Sequence, residues 1–98
     1  MKKIINNKLY DTEKGEKIFN FRKRRKTGNF GDYNFYSWFN VEVYKTKKNN
    51  YFFYGCIKDS LDNKKEFLEV VSEKKVKDIM KELDPDKYIE LFGEIEEA

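Results

Sequence analysis

The sequence predicts an α+β domain: an antiparallel sheet of four to five strands, made of hairpins, packed by a C-terminal helix and a short second helix. Three observations carry this. The stretch from Tyr33 to Ile57 holds ten of the chain's seventeen aromatic residues and alternates with the period of two that a strand requires. The stretch after Ser72 places Val76, Ile79, Met80 and Leu83 at the spacing of an amphipathic helix. The chain has 98 residues, which suits a single domain, 1–98, with one modest core.

The elements follow in order. Lys2 to Ile5 and Lys8 to Tyr10 are short apolar runs joined by Asn6-Asn7, a two-residue connection that suits a primed turn, so a small N-terminal hairpin is expected. Residues 11–15 read as a turn or one helical turn, and Glu16 to Arg22 as a strand that brings Ile18 and Phe19 or Phe21 into the core. The basic run Arg22-Lys23-Arg24-Arg25-Lys26 reads as a loop. Residues 27–32 contain two glycines free to adopt positive φ and read as a turn.

The central hairpin comes next. Phe39, Val41 and Val43 fall on one side of its first strand, and Trp38, Glu42 and Tyr44 on the other. Lys47-Lys48-Asn49-Asn50 makes the turn, in which an asparagine supplies the left-handed residue. On the return strand Tyr51, Phe53 and Ile57 oppose Phe52, Tyr54 and Cys56, so both faces of the hairpin are apolar or aromatic. Each face therefore needs a cover other than water. Asp59 to Lys65 is polar and loop-like, and Glu66 to Val71 is a last short strand. Ser72 is suited to cap the following helix, with Val76, Ile79, Met80 and Leu83 facing the sheet and Glu73 at the positive end of the dipole. Asp84-Pro85 starts a second helix that Gly93 stops after Phe92, and an acidic end follows.

Charge is unevenly distributed. Residues 1–50 carry thirteen Lys/Arg against five Asp/Glu, and residues 51–98 carry eight against thirteen. The asymmetry predicts an anionic partner for the N-terminal half, and either intramolecular compensation or a cationic partner for the acidic tail. With no histidine and a single cysteine, Cys56, the chain has no zinc site, no intramolecular disulfide and no Cys-His or Ser-His-Asp nucleophile. No catalytic residue, metal ligand or cofactor is expected. Asp62 with Glu73-x-Lys75 has the outline of a metal-dependent nuclease signature, but the position of Glu73 and Lys75 in a capped first turn accounts for them as dipole compensation. Met1-Lys2-Lys3 is followed by only Ile4 and Ile5 before polar residues, so neither a secretory leader nor a membrane span is expected, and the lone cysteine suits a reducing cytoplasm. Phe, Tyr, Met, Ile, Asn and Lys supply 52 residues, the bias of an AT-rich coding sequence of bacterial or phage type.

The candidate site is the basic run with the aromatics that follow it. Arg22, Lys23, Arg24, Arg25 and Lys26 repel one another, and no acidic residue occurs in the next five positions. An antiparallel connection brings them beside Tyr33, Phe35, Tyr36 and Trp38. Cations would then meet phosphates or an acidic protein groove, while rings stack on bases or anchor an interface. A solvated loop is the alternative reading of the run, and cover by neighbouring elements the alternative for the rings.

Three segments carry a resemblance: Ile4-Ile5-Asn6-x-Lys8-x-Tyr10-Asp11-Thr12-Glu13, then Tyr44-Lys45-Thr46-Lys47-Lys48 with Tyr51-Phe52-x-Tyr54-Gly55, and finally Tyr88-x-x-Leu91-Phe92-Gly93-Glu94. Together they resemble a family of short accessory proteins of phages, prophages and plasmids of Gram-positive-type bacteria. This chain differs from that family by the Arg22–Lys26 run and by lacking a glycine-rich stretch after Gly55. The resemblance implies an inhibitor of the anti-CRISPR type, acting in the host cytoplasm, whose partner is a CRISPR effector or its guide RNA complex. It implies no particular functional residues. A single-stranded nucleic-acid-binding accessory protein is the second expectation, and the oligomeric state stays open.

Overall fold

A computed structural model describes residues 1–58 and 63–93, without the side chains of Thr27, Asn29 and Phe35. The expected α+β arrangement is present. Strands β1 (Lys2–Ile5) and β2 (Lys8–Asp11) form a hairpin of their own. Strands β3 (Glu16–Phe30), β4 (Tyr33–Lys45), β5 (Tyr51–Lys58) and β6 (Lys64–Val71) form an antiparallel meander in sequence order. Helices α1 (Glu73–Leu83) and α2 (Pro85–Phe92) follow. Asparagine makes the left-handed turns, as the sequence requires: Asn6 and Asn7 both have positive φ between β1 and β2, and Asn49 does between β4 and β5.

The two apolar faces of the β4–β5 pair are covered by opposite ends of the chain. One face contributes Val41, Val43, Tyr51 and Phe53, joined by Ile18 and Val71, and α1 lays Val76 and Met80 onto it. The other contributes Tyr44 and Phe52 with Leu68, and the small hairpin covers it with Tyr10 and Ile5. There Tyr44 stacks on Phe52 at 5.0 Å between ring centroids, and Tyr10 meets the same ring edge-on at 5.7 Å. The hairpin is tied down where the terminal ammonium of Met1 donates to Thr12 Oγ1 at 2.8 Å and the Thr12 N–H donates to the Met1 carbonyl.

The sheet splits at Gly55. Val41 opposite Gly55 is the last pairing between β4 and β5, so residues 33–40 of β4 pair with β3 alone, and Cys56 to Lys58 pair with β6 alone. A Cβ on Gly55 would lie 2.3 Å from the Phe67 ring, which fills the space over this glycine and meets Phe39 edge-on at 5.9 Å. Beyond the split, β3 and β4 continue as a two-stranded ribbon. At about 3.3 Å per residue, the segment from Arg22 to Phe30 reaches on the order of 25–30 Å. The radius of gyration, 15.9 Å, accordingly exceeds the ~13 Å of a compact domain of this length.

Three expectations are corrected. The basic run is not a loop: β3 runs through it to Phe30, and the turn is confined to Gly31, at φ 60°, and Asp32. Pairing with β4 satisfies the backbone, and alternation sends neighbouring cations to opposite faces, which relieves the repulsion that favours a loop. The last strand begins at Lys64 rather than Glu66, because Lys64 and Lys65 pair with Lys58 and Ile57. Leu83, expected on the buried side of the helix, is 54% exposed. The helix ends there, and Asp84, whose N–H donates to the Met80 carbonyl at 2.8 Å and whose Oδ1 accepts from Lys87 N–H at 3.1 Å, turns the chain into α2. Ser72 caps α1 as expected by accepting from Lys75 N–H, and Gly93, at φ 98°, ends α2. The acidic end, 94–98, lies outside the described residues.

Two substitutions separate seam from surface. Met80→Ala removes a fully buried side chain and should cost roughly 2–5 kcal/mol in urea unfolding, whereas Leu83→Ala should change stability by no more than about 0.5 kcal/mol. Equal losses would show that α1 is rotated from the orientation described.

Candidate functional site

The register of the ribbon decides which candidate residues meet. Across the two strands Arg22 stands opposite Asn40, Lys23 opposite Phe39, Arg24 opposite Trp38, Arg25 opposite Ser37 and Lys26 opposite Tyr36. Partners directly across an antiparallel pair share a face. Arg22, Arg24, Lys26, Tyr36 and Trp38 therefore share one face, continuous with the side of the sheet that carries Tyr44. Lys23 and Arg25 lie on the opposite face with Phe39, and Tyr33 has the same parity along β4. The sequence grouped all of these as one site; an extended strand divides them because successive side chains alternate. Phe35 pairs with Gly28 in the ladder, and its side chain lies outside the description.

On the first face the arginines lean diagonally toward the ribbon tip. The Arg24 guanidinium lies 4.3 Å from the centroid of the Tyr36 ring, and that of Arg22 lies 5.7 Å from the Trp38 ring. At exposed sites such cation–π contacts are worth about 0.5–1 kcal/mol each, enough to favour guanidinium positions over the rings without consuming their N–H donors. No residue from Arg22 to Lys26 forms an ion pair among the described residues. Glu42, the one carboxylate of β4, is engaged elsewhere: it accepts from the Tyr44 hydroxyl at 2.7 Å and pairs with Lys17 at 3.6 Å. At the base of the face, Asn20 Nδ2 donates to Asn40 Oδ1 across the strands at 3.2 Å.

The distal rings of both faces are open. Trp38 is 58% and Tyr36 47% exposed, and at the tip Phe30 and Tyr33, which pair across the closing turn, are 77% and 75% exposed. Cover by neighbouring elements therefore holds for the proximal rings, Tyr44, Phe52 and Phe53, and fails for the distal ones. Phe30 is a member of the exposed set that sequence reasoning missed. Its signal was the spacing Phe30-Gly31-Asp32-Tyr33, a two-residue turn with an aromatic on either side, obscured by reading residues 27–32 as turn throughout. Lysines near other rings behave differently: Lys77 over Phe92 and Lys81 over Tyr88 roof aromatics of the helical layer, where their stems pack rather than project.

The nuclease outline is not assembled by the described residues. Glu73 pairs with Lys77 at 3.5 Å along α1, Lys75 reaches Glu69 at 3.8 Å, and Asp62 lies outside the description. Among the described residues no cluster of three or more Cys, Asp or Glu has the spacing to hold a metal ion, and no helix is long and apolar enough to cross a membrane. Cys56 is a free thiol, half-buried on β5.

No family model matches the chain, and no curated protein or solved structure matches it significantly. The resemblance to mobile-element accessory proteins thus rests on its sequence motifs.

Two tyrosines of the sheet give the folded state a pH signature. Burial, then the hydrogen bond to Glu42, pushes the Tyr44 hydroxyl up to about 12, and the hydrogen bond to Glu66 at 2.9 Å, then burial, pushes that of Tyr54 up to about 12. Both groups hold their protons more tightly folded than unfolded, so the stability they contribute is complete below the ordinary value of 10.0 and is lost as pH rises toward about 12. Urea midpoints should be level below pH ~10 and fall above it, and Glu42→Gln should move tyrosinate absorbance to lower pH. Tyrosinate forming in the native protein without that displacement would contradict the Glu42 contact.

Proposed function

We propose that this protein is a non-catalytic binding module that engages single-stranded nucleic acid through one face of the projecting β3–β4 ribbon. The observation that carries the reading is the pair of guanidinium–ring contacts, Arg22 over Trp38 and Arg24 over Tyr36, on a face that is open to solvent and has no ion pair among the described residues. The chemistry fits in three ways. Arginine offers bidentate, charge-assisted bonds to phosphate while its plane stays against a ring. Exposed Trp and Tyr rings, and guanidinium planes themselves, are platforms on which unpaired bases stack. The run of cations follows the ribbon as a backbone of phosphates would follow it, with Lys26 extending the line from Arg22 and Arg24.

A second reading combines the sequence resemblance with the reach of the ribbon: an inhibitor from a phage or plasmid that acts in the host cytoplasm and lays this same face on the guide RNA, or in the nucleic-acid channel, of a CRISPR effector. The two readings use the same residues and differ in whether a protein is needed. Pull-down from host lysate with and without nuclease treatment separates them, since capture that survives nuclease favours an effector surface.

The direct reading is tested by fluorescence anisotropy with a labelled single-stranded oligonucleotide. Changing Arg22 and Arg24 together to Ser should weaken binding by more than about tenfold with little change in melting temperature, because their side chains are exposed and stacking is worth about 1–3 kcal/mol per base. Changing Lys23 and Arg25 together to Ser removes the same charge from the opposite face and should have the smaller effect. With Arg22, Arg24 and Lys26 on phosphates, log affinity should fall against log salt with a slope of about −2. Equal losses in the two double variants would reduce the effect to net charge, and binding confined to duplex would move the contact to a groove.

A further inference from the structure

The ribbon has a second face with the same two chemistries as the first. Lys23 and Arg25 are exposed on it, and neither forms an ion pair among the described residues. Phe30 and Tyr33, the most exposed rings of the described residues, stand directly across from one another at its far end, where the Gly31-Asp32 turn closes the ribbon. Partners across an antiparallel pair share a face, and Tyr33 has the parity of Phe39 along β4, so both rings lie on the side of Lys23 and Arg25. Neither ring stacks on another among the described residues. Rings left in water and unstacked contribute little to folding, so the fold does not account for them. The face that carries Arg22, Arg24 and Lys26 has its own open rings, Tyr36 and Trp38. Cations and open rings thus occur on both sides of one thin arm.

We propose that the ribbon sits between two nucleic-acid strands where they part, at a fork between duplex and single strands. One arm of the fork runs along Arg22, Arg24 and Lys26 and stacks on Tyr36 and Trp38; the other runs along Lys23 and Arg25 and stacks on Phe30 and Tyr33. This rests on the reading that the first face binds single-stranded nucleic acid, and it adds the second strand. Charge and distance select the occupant. Cations and open rings on both faces match a ligand that brings phosphates and bases to each side. Asp32 is the one charge of the closing turn, and it repels phosphate, which disfavours a single strand folded over the tip from face to face. Two strands that part at the tip keep their phosphates along the faces and bring base edges, with their amino donors, toward the carboxylate. An anionic membrane is the other ligand that takes aromatic side chains beside cations. Here the cation nearest in sequence, Lys26, is four residues from Phe30, about 13 Å along the strand. That exceeds the ~8 Å Debye length at physiological salt, so a tip placed in lipid headgroups would gain little from the basic run. Along a nucleic-acid strand, by contrast, the segment from Arg22 to Phe30, about 26 Å, matches roughly eight stacked nucleotides.

The experiment compares a duplex carrying two non-complementary arms of about ten nucleotides, enough to span the ribbon, with each arm alone and with the blunt duplex, by fluorescence anisotropy on the full chain and calorimetry for stoichiometry. One protein should bind the fork at least about tenfold more tightly than either arm or the blunt duplex, because the second strand is held at high local concentration once the first is bound. Phe30→Ala with Tyr33→Ala changes no charge and no buried residue, so the fold should persist; fork affinity should fall by about tenfold, and affinity for one arm by less than about twofold. Lys23→Ser with Arg25→Ser should likewise abolish the preference for the fork. In the isotopically labelled protein, one equivalent of an arm should move the Nε–H resonances of Arg22 and Arg24, and only the fork should also move those of Arg25 and the rings of Phe30 and Tyr33. Arms that bind through Arg22 and Arg24 while the fork binds no more tightly, or takes up two proteins, would overturn the inference and leave the single-strand reading standing. Arms that do not bind at all would overturn both. A Phe30→Ala, Tyr33→Ala protein that binds the fork like the parent would also overturn it, as would phosphatidylserine vesicles that move the Phe30 and Tyr33 rings where the fork does not.

Discussion

The structure depends on one constraint: the central β4–β5 pair is apolar on both faces. Phe52 and Phe53 are adjacent in sequence, so alternation must bury one ring on each side of the sheet, and each side must be supplied with cover. The chain meets this with its two ends. Helix α1 lays Val76 and Met80 over the Phe53 side, and the β1–β2 hairpin lays Tyr10 over Phe52. A small domain has too little chain to cover both faces along their whole length, and the cover stops where β4 leaves β5 at Gly55.

What lies beyond that point is open to solvent. Past Gly55 the β3–β4 ribbon has no third strand, and the composition changes with the geometry. On the covered part of the sheet the Tyr44 face packs Tyr44 with Phe52, Leu68 and Tyr10, and its Glu42 is engaged by Tyr44 and Lys17, while on the ribbon the same face carries arginine, lysine and open aromatic rings. Cation–π contact favours guanidinium positions over the rings while leaving the N–H donors free. The charge asymmetry of the sequence has a spatial counterpart in this arm. Helix α1 differs, since its lysines are engaged in i, i+4 pairs with Glu73 and Asp78 or over rings of the core.

The opposite end of the sheet has a different character. There the turns Asp11–Gly15 and Thr46–Asn50 are closed by backbone and side-chain hydrogen bonds, and Asp11 is buried. Open ribbon and closed turns thus give the two ends of one small sheet different characters: cations and open rings at one end, hydrogen-bonded turns around a buried carboxylate at the other.

The sequence by itself determined the elements whose signals are local. Asn6-Asn7 and Asn49 mark turns because asparagine tolerates positive φ, Ser72 and Asp84-Pro85 mark helix starts because they satisfy or lack the orphan N–H groups, and alternation marks β4 and β5. It also gathered the cations and rings that meet on the ribbon. Only the tertiary structure decided how they divide. Whether Arg25 joins Arg24 depends on the run being strand rather than loop, and that depends on pairing with β4, a partner that local propensity does not report. The exposure of Leu83 follows from where Asp84 turns the chain, and that of Trp38 from where β5 parts from β4 at Gly55. Periodicity tells which residues share a face; only the packed neighbours decide whether that face is buried or left to a partner.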